Sequence, residues 1–173
     1  MKKNIILYST CEGQAHKIAL HIAQELGAES CELVDLQKNK SVDLTQYDRV
    51  ILGASIRYGS FNKALYKFID QHLQQLQQAN AYFYGVNLTA RKEGKDTPEG
   101  SAYLRKFMKK SPWQPKEIGV FAGALLYPRY NWFDRTMIKF IMSMTGGETD
   151  TTKEVEYTNW EKVTQFAQMI AKS

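Results

Sequence analysis

The sequence predicts an α/β fold in which helices cover both faces of an open parallel sheet. Three observations support this prediction: short apolar runs recur along the chain, amphipathic helical patterns fill the intervals, and the first apolar run leads through a glycine turn into a helix. Alternation of this kind is typical of parallel strands joined by right-handed crossovers. With 173 residues, 43% of them hydrophobic, the chain is expected to form a single domain, residues 1–173.

The individual elements follow from these patterns. Amphipathic stripes predict helices after the first, third and fourth strands, and the last helix is expected to begin at the capping box Thr158-Asn159-Trp160-Glu161. His16, His21 and His72 are expected on outward helix surfaces and lack metal-ligand spacing, so no metal site is predicted. The five predicted strands lie at residues 5–8, 32–36, 49–54, 81–87 and 118–126.

Residues 127–157 form a long insertion between the predicted fifth strand and the last helix, because about thirty residues are too many for an ordinary connection. The insertion contains a helical pattern with Arg135 and Lys139 opposite its apolar stripe. Trp132 and Met142 are expected to lie off the stripe and to remain exposed. A basic amphipathic helix either lies in a membrane interface or packs on its own domain, and both interpretations stay open. The stripe consists of Tyr130, Phe133, Met137, Phe140, Ile141 and Met144.

The turn after the first strand has the composition of a phosphate site. Ser9 and Thr10 offer hydroxyl donors, Gly13 permits a tight turn, and the following helix presents unpaired N–H groups and the positive end of its dipole. The dinucleotide and P-loop glycine patterns are absent, which leaves a mononucleotide site of the flavin kind. Cys11 precedes the helix N-terminus, which can lower a thiol pKa, but a loop-filling role is expected.

Two more strand ends are expected at the same edge of the sheet, since parallel strands present their carboxyl ends together. In the loop 55–59, Tyr58 is suited to stack on a planar ring and Arg57 to stabilise negative charge on that ring. The loop 87–91 follows the fourth strand. The sequence shows no nucleophile–base pair, so a bound cofactor is expected to carry the chemistry.

Positive charge is concentrated in one stretch of the chain. The net charge is +5, and between residues 105 and 139 eight Lys or Arg oppose two acidic residues. Such a patch attracts nucleic acid, an anionic membrane or a polyanionic small molecule.

No apolar run approaches the roughly 18 residues of a membrane span, and the N-terminal run is too short for a signal peptide. The two cysteines lack C-x-x-C spacing, which favours a reducing cytoplasmic compartment without disulfides.

Several segments form a specific combination: the opening strand and turn, GASIRYG at 53–59, VNLTARK at 86–92, AGAL at 122–125, YPRY at 127–130 and GGETDT at 146–151. With these motifs the chain resembles flavodoxin-like FMN proteins, and more closely the bacterial quinone-dependent protoporphyrinogen IX dehydrogenases, over nearly its whole length. The resemblance implies a three-layer fold with five parallel strands in the order 2-1-3-4-5. It also implies an enzyme of haem biosynthesis that oxidises protoporphyrinogen IX through FMN.

The resemblance further implies that electrons pass to a membrane quinone, menaquinone or ubiquinone. Peripheral contact with an anionic membrane is expected, at the cytoplasmic face of the inner (plasma) membrane of a bacterium, with residues 127–157 serving substrate or membrane engagement. No nucleic-acid partner is expected, and self-association into a homo-oligomer stays open. Arg57 and Tyr58 are candidates for a catalytic role beside the flavin ring. The implied cofactor-binding residues are Ser9, Thr10, Cys11, Glu12, Gly13, Gln14, Ala15, Ser55, Ile56, Arg57, Tyr58, Gly59, Asn87, Leu88, Thr89, Ala90 and Arg91.

Ala15 departs from the family pattern, which usually places Thr there with its hydroxyl on the phosphate. Loss of one hydrogen bond to a charged group costs about 1.5–3 kcal/mol, so weaker FMN binding is predicted, and Ala15→Thr is predicted to strengthen it. Two alternative functions remain. A flavodoxin-type electron carrier is disfavoured by the basic patch and the long insertion, and a soluble NAD(P)H:quinone reductase has no dinucleotide fingerprint in its support.

Overall fold

The computed structural model describes residues 1–38 and 41–173. Its strands are β1 (Asn4–Ser9), β2 (Cys31–Asp35), β3 (Arg49–Arg57), β4 (Ser60–Phe61), β5 (Ala81–Asn87), β6 (Ile118–Ala122), β7 (Ala124–Leu126) and β8 (Glu154–Glu156). Its α-helices are α1 (Gln14–Leu26), α2 (Lys63–Gln71), α3 (Leu73–Gln78), α4 (Ala102–Lys110), α5 (Trp132–Met144) and α6 (Trp160–Ala171).

Five strands form one parallel sheet in the order β2-β1-β3-β5-β6, and the short β4 pairs antiparallel with the end of β3. The predicted fold class and the order 2-1-3-4-5 of the five parallel strands are confirmed. Every residue of β1 and β5 is buried. Continuous burial of this kind explains why these strands appear in the sequence as apolar runs rather than as alternating patterns.

Helices cover both faces of the sheet and bury two separate apolar layers. On one face α1 and α6 pack side by side, with Ile18 and Phe166 in the shared core. On the other face α2 and α4 bury Leu65 and Phe107 together with Trp113. Because both layers are fully packed, the carboxyl ends of β1, β3 and β5 are held in fixed relative positions, and the loops that follow them lie along one edge.

The predicted fifth strand, 118–126, is interrupted in the structure. It divides at Gly123 into β6, which stays in the parallel sheet, and β7, which pairs antiparallel with β8 of the insertion. The N–H of Gly123 donates to the Asn87 carbonyl (3.1 Å), while its own carbonyl accepts from the N–H of Tyr157 (3.1 Å). The chain therefore changes sheets at this residue, which the uninterrupted apolar run does not reveal.

The last helix begins one residue later than the capping-box prediction. Asn159 is the N-cap, and its side chain accepts from the N–H of Lys162 (3.3 Å). The hydroxyl of Thr158 instead donates to the carbonyl of Ala122 (2.6 Å) at the end of β6. Asn and Thr are both favoured caps, so the tertiary contact of Thr158 decides between them.

The histidines are half-buried rather than on outward surfaces, so that prediction was wrong. His16 stacks on Tyr8, with ring centroids 4.7 Å apart, and His21 lies 2.7 Å from the Thr164 hydroxyl. His72 stacks on Phe68. Within the described parts of the chain, no group of three metal-ligating side chains occurs, and no helix has the length and apolar character needed to cross a membrane.

The helix predicted in the insertion is present as α5, but it is rotated relative to the prediction. Most of the expected stripe points into solvent, since Phe140 is 61% exposed and Met144 is 72% exposed, but its first member, Tyr130, is buried. Met142, expected to be exposed, is 1% exposed, and Ile138 beside it is also buried. Ile138 and Met142 are i and i+4, so they form a narrow second row that attaches α5 to the rest of the molecule.

The positive stretch 105–139 does not form one surface. Arg129 pairs with Glu154 (2.9 Å), and Arg135 turns inward to donate to the carbonyl of Tyr130 (3.1 Å). Lys116 donates to the side-chain oxygen of Asn80. Most of the exposed positive charge of this stretch therefore lies on α4, with Lys116 before β6 and Lys139 on α5.

Candidate functional site

A cleft opens at the carboxyl edge of the sheet, where β1, β3 and β5 end. Three loops and the inner side of α5 form its walls. Its enclosed space is about 120 Å³, and the space is about 820 Å³ when the open mouth is included. Its position matches the general rule that open α/β sheets bind ligands beyond the carboxyl ends of their strands.

The loop after β3 is a tight β-hairpin whose tip consists of Tyr58 and Gly59. Arg57 pairs with Ser60 across the two-residue turn, and both tip residues have positive φ, 52° at Tyr58 and 81° at Gly59. This is the backbone geometry of the type I′ hairpin turn, which Gly tolerates and an aromatic residue does not favour. The strained conformation holds the Tyr58 side chain at the edge of the cleft, where it is 48% exposed.

Arg57 connects the three parts of the site. Its guanidinium ion-pairs closely with Glu12 of the first turn and lies 3.2 Å from Asp134 in the first turn of α5. The Tyr58 hydroxyl also donates to Asp134, and partial burial together with this carboxylate raises the pKa of Tyr58. Arg57 and Tyr58 therefore hold the N-terminal end of α5 against the hairpin, and Arg57 neutralises the charge of Glu12.

The loop after β5 is organised by Asn87. Its side-chain oxygen accepts from the Thr89 hydroxyl (2.7 Å) and from the N–H of Ala90 (2.9 Å), which caps the short 3₁₀ turn that follows. Arg91 extends from this turn and donates to the carbonyl (3.2 Å) and the hydroxyl (3.1 Å) of Thr145. Because Thr145 ends α5, the helix is held at both ends by loops of the cleft.

Two buried polar atoms in the cleft have no hydrogen-bond partner within the described residues: the Ser55 hydroxyl oxygen and the Asn87 amide nitrogen. Buried polar groups almost always find a partner, so these two atoms indicate a polar ligand. Apolar side chains such as Ile56 and Ile141 line other parts of the same cleft. A flavin ring combines a planar apolar body with a polar edge, so the residues present fit this group.

The first turn is closed by its own side chains. Thr10 accepts from the N–H of Gly13 (2.9 Å), and Gly13 has a φ of 100°, a value that favours glycine. The amide of Gln14 donates to Thr158 (2.9 Å) and to Glu156 (3.2 Å), so it ties the start of α1 to the end of the insertion. The Thr10 hydroxyl oxygen therefore shapes the turn, and the backbone N–H groups at the start of α1 remain the natural anion donors.

Ala15 lies in the core beneath this turn. Its carbonyl accepts from the Tyr84 hydroxyl (2.8 Å), and the Tyr84 ring passes directly over Gly53, where a Cβ would lie 1.9 Å from the ring. The Ala15 side chain is fully buried, so the predicted benefit of Ala15→Thr stays a prediction.

Partial burial raises the pKa of the Cys11 thiol, although the Arg57 guanidinium opposes this, so the thiol is not activated.

Comparison with known proteins places this geometry in a family. A model of the flavodoxin domain matches residues 5–152. Over 172 residues, 98% of the chain, the sequence is 48% identical to the protein named protoporphyrinogen IX dehydrogenase (quinone) from Escherichia coli strain K12, of which 94% is covered. The chain belongs to this family. Protoporphyrinogen IX dehydrogenases are oxidoreductases, and the flavodoxin domain supports a flavin cofactor.

The fold of this family member is similar to that of several solved structures. The chain is similar to oxidised flavodoxin 1 from Bacillus cereus, with a TM-score of 0.55 and 18% identity, covering 98% of this chain and 97% of the flavodoxin. It is also similar to a flavoprotein in complex with FMN from Lactobacillus acidophilus NCFM, with a TM-score of 0.52 and 18% identity, covering 69% and 93%. At such low identity these likenesses show the fold.

The cleft is lined by most of the residues predicted to bind the cofactor, but not by all of them. Gly13 faces a separate depression beside Lys17, and Cys11 faces outward next to Asn131. Ser9, Ala15 and Ala90 are buried, and Thr10 closes the first turn. The predicted residues that line the cleft are Glu12, Gln14, Ser55, Ile56, Arg57, Tyr58, Gly59, Asn87, Leu88, Thr89 and Arg91.

Sequence reasoning missed the wall contributed by the insertion and by α4. Ile138 and Met142 face the cleft from α5, and their i, i+4 spacing is the signal that could have revealed a second apolar row on that helix. Ile141 belongs to the predicted apolar stripe, and in the structure it is 42% exposed and also lines the cleft. Tyr130 belongs to the predicted apolar stripe, but neither Tyr103 nor Tyr130 was predicted to line the cleft, because their positions there depend on how α4 and the insertion pack.

Proposed function

We propose that the protein uses FMN to oxidise protoporphyrinogen IX to protoporphyrin IX in haem biosynthesis and passes the electrons to a membrane quinone. The observation that supports this most directly is the cleft in which the unpartnered Ser55 and Asn87 atoms lie among the apolar side chains of α5. Full aromatisation removes six electrons and six protons, so three quinones become three quinols for each porphyrinogen. When bound, the flavin supplies two-electron transfer between these partners.

The residues of the cleft have distinct roles in this proposal. Ser55 and Asn87 would hydrogen-bond the polar edge of a bound flavin ring, and the backbone N–H groups at the start of α1 would bind its terminal phosphate. Tyr58 borders the ring at the mouth of the cleft, and Arg57 compensates the Glu12 carboxylate, which would otherwise repel an anionic cofactor. The FMN complex of the Lactobacillus acidophilus flavoprotein, which shares the fold, supports FMN as the particular flavin.

The outer side of α5 supports attachment to a membrane. Trp132, Phe133 and Phe140 are 76%, 59% and 61% exposed, which is an unusual concentration of large apolar side chains facing solvent. Lys139 and the cations of α4 favour an anionic bilayer surface. We place this surface at the cytoplasmic face of a bacterial inner membrane, where a lipid-dissolved quinone can approach the cleft that α5 borders.

The proposal is tested by anaerobic turnover of FMN-loaded protein with protoporphyrinogen IX and menaquinone in phosphatidylglycerol vesicles. The fluorescence of the protoporphyrin formed measures the reaction. We expect porphyrin formation that requires both FMN and quinone and no partner protein. A requirement for a partner protein would favour an electron carrier of flavodoxin type. Quinone reduction by NADPH, without porphyrinogen oxidation, would favour the NAD(P)H:quinone reductase. Either result contradicts the proposal.

A further inference from the structure

A second groove continues from the mouth of the cleft along the hairpin. It runs between the hairpin, the start of α2 and one side of α4. Ile56, Gly59 and Tyr103 line both spaces, so the groove and the cleft are contiguous. A ligand whose ring occupies the mouth of the cleft can therefore extend substituents into the groove without leaving the protein surface.

Three lysines border this groove. Lys63 is the first residue of α2, and Lys106 and Lys110 lie one turn apart on α4. The Lys110 ammonium lies 4.0 Å from the centroid of the Tyr66 ring, which forms part of the groove. All three lysines are exposed at its border, so the groove combines ammonium groups with aromatic surface.

The positive charge of the groove is uncompensated. Its lining contains no Asp or Glu, and in residues 1–38 and 41–173 none of the three lysines forms an ion pair. Like charges at i and i+4 destabilise a helix, so the spacing of Lys106 and Lys110 is unfavourable for α4 itself. The N-terminus of α2 adds the positive end of a helix dipole beside Lys63. The groove is therefore electrostatically prepared for an anion.

We infer that this groove binds the propionate carboxylates of the porphyrinogen while the macrocycle lies at the mouth of the cleft, an inference that rests on the proposed function. Lysine ammonium groups bind carboxylates as point charges, and the Tyr66 and Tyr103 rings offer apolar contact to the methylene groups of the propionates. The groove would then select a dicarboxylic tetrapyrrole over neutral hydrophobic compounds of similar size and orient its ring in the cleft.

The test compares the triple variant Lys63→Gln/Lys106→Gln/Lys110→Gln with the matched control Lys67→Gln/Arg105→Gln/Lys109→Gln, whose cations are equal in number and exposed on the same two helices outside the groove. In detergent without lipid, we expect KM for protoporphyrinogen IX to rise about tenfold in the triple variant, with kcat changed less than about twofold. With the dimethyl ester as substrate, wild type and triple variant should have equal KM. Binding of protoporphyrin IX, measured by fluorescence anisotropy, should weaken by a similar factor.

The outcomes separate this inference from the proposed function. If wild type does not oxidise the porphyrinogen, the proposed function is wrong, and the binding of protoporphyrin IX still tests the groove. If wild type oxidises it but the triple variant keeps its KM and its porphyrin affinity, the inference is wrong. An equal loss with diacid and diester also contradicts it. Loss of adsorption to phosphatidylglycerol vesicles with unchanged KM would assign the groove to lipid instead.

Discussion

At the scale of single residues, the site depends on side chains that are each unfavourable without a partner. The Ser55 hydroxyl and the Asn87 amide nitrogen are buried without hydrogen bonds, and Tyr58 holds a left-handed backbone conformation. The Glu12 carboxylate lies where an anionic cofactor is expected and is neutralised by Arg57. A polar ligand in the cleft would satisfy the Ser55 and Asn87 atoms, and strained backbone of the kind found at Tyr58 is typical of functional sites.

The role of Ser55 is tested by Ser55→Ala. Because its hydroxyl has no partner in the protein alone, the free energy of unfolding of the apo-protein should stay unchanged or rise by up to about 1 kcal/mol. The dissociation constant for FMN should increase about tenfold, measured by quenching of flavin fluorescence. Ser60→Ala, on the exposed strand of the same hairpin, is the matched control and should change neither quantity. An unchanged FMN affinity in Ser55→Ala would contradict the assignment.

Arg57→Gln leaves two carboxylates, Glu12 and Asp134, without their shared cation, and both are less than a quarter exposed. The free energy of unfolding should fall by about 1–3 kcal/mol in urea titrations, and FMN binding should weaken about tenfold. The double variant Glu12→Gln/Arg57→Gln should recover part of both losses because one unpaired charge is removed. Equal losses in the single and double variants would show that Arg57 does not act by neutralising Glu12.

At the scale of elements, the hairpin and α5 show where local sequence is informative. Helical periodicity correctly predicts that α5 exists, because periodicity reports secondary structure directly. It does not predict which side faces the protein, since α5 has apolar residues on both sides. The narrow row formed by Ile138 and Met142 is buried because it packs in the apolar cluster around β7, and most of the wider stripe is left in solvent.

The two sides of α5 should respond differently to substitution. Met142→Ala removes a side chain that is 1% exposed, so the free energy of unfolding should fall by about 2–5 kcal/mol. Phe140→Ser, on the outer side, should change it by less than about 0.5 kcal/mol but should weaken cosedimentation with phosphatidylglycerol vesicles. Its turnover with a water-soluble quinone should equal that of wild type. Undiminished vesicle binding would refute the membrane role of this surface.

At the scale of the whole molecule, the parallel sheet and its order were predictable because each central strand is a continuous apolar run between helical patterns. The change of sheet at Gly123 was not predictable from the sequence. There β7 pairs with β8, a strand about thirty residues away that has no distinctive composition. The same distinction applies to the cleft. Its three loops follow from strand ends, whereas the contacts of Arg57 with Asp134 and of Arg91 with Thr145 depend on how the insertion folds back.

The whole molecule should lose stability at alkaline pH. Partial burial and the hydrogen bond to Glu32 raise the pKa of Tyr47 to about 12, and burial also raises the pKa of Tyr84. The folded state therefore favours the neutral phenol, so this stabilisation is fully present below pH 10 and is lost as the pH rises through about 12. For Tyr47 the loss should be about 1–2 kcal/mol after allowance for solvent screening, measured by urea unfolding between pH 8 and 12. Tyr47→Phe should reduce the pH dependence, and an unchanged slope would contradict this explanation.

The proposed function requires that the porphyrinogen be oxidised and a quinone reduced at a flavin that the three loops beneath α5 would bind. The most direct measurement is anaerobic stopped-flow absorbance of the FMN-loaded protein, mixed first with protoporphyrinogen IX and then with menaquinone in vesicles. We expect the flavin absorbance to bleach in the first mixing and to recover in the second. Persistence of the oxidised flavin spectrum after the first mixing would contradict it.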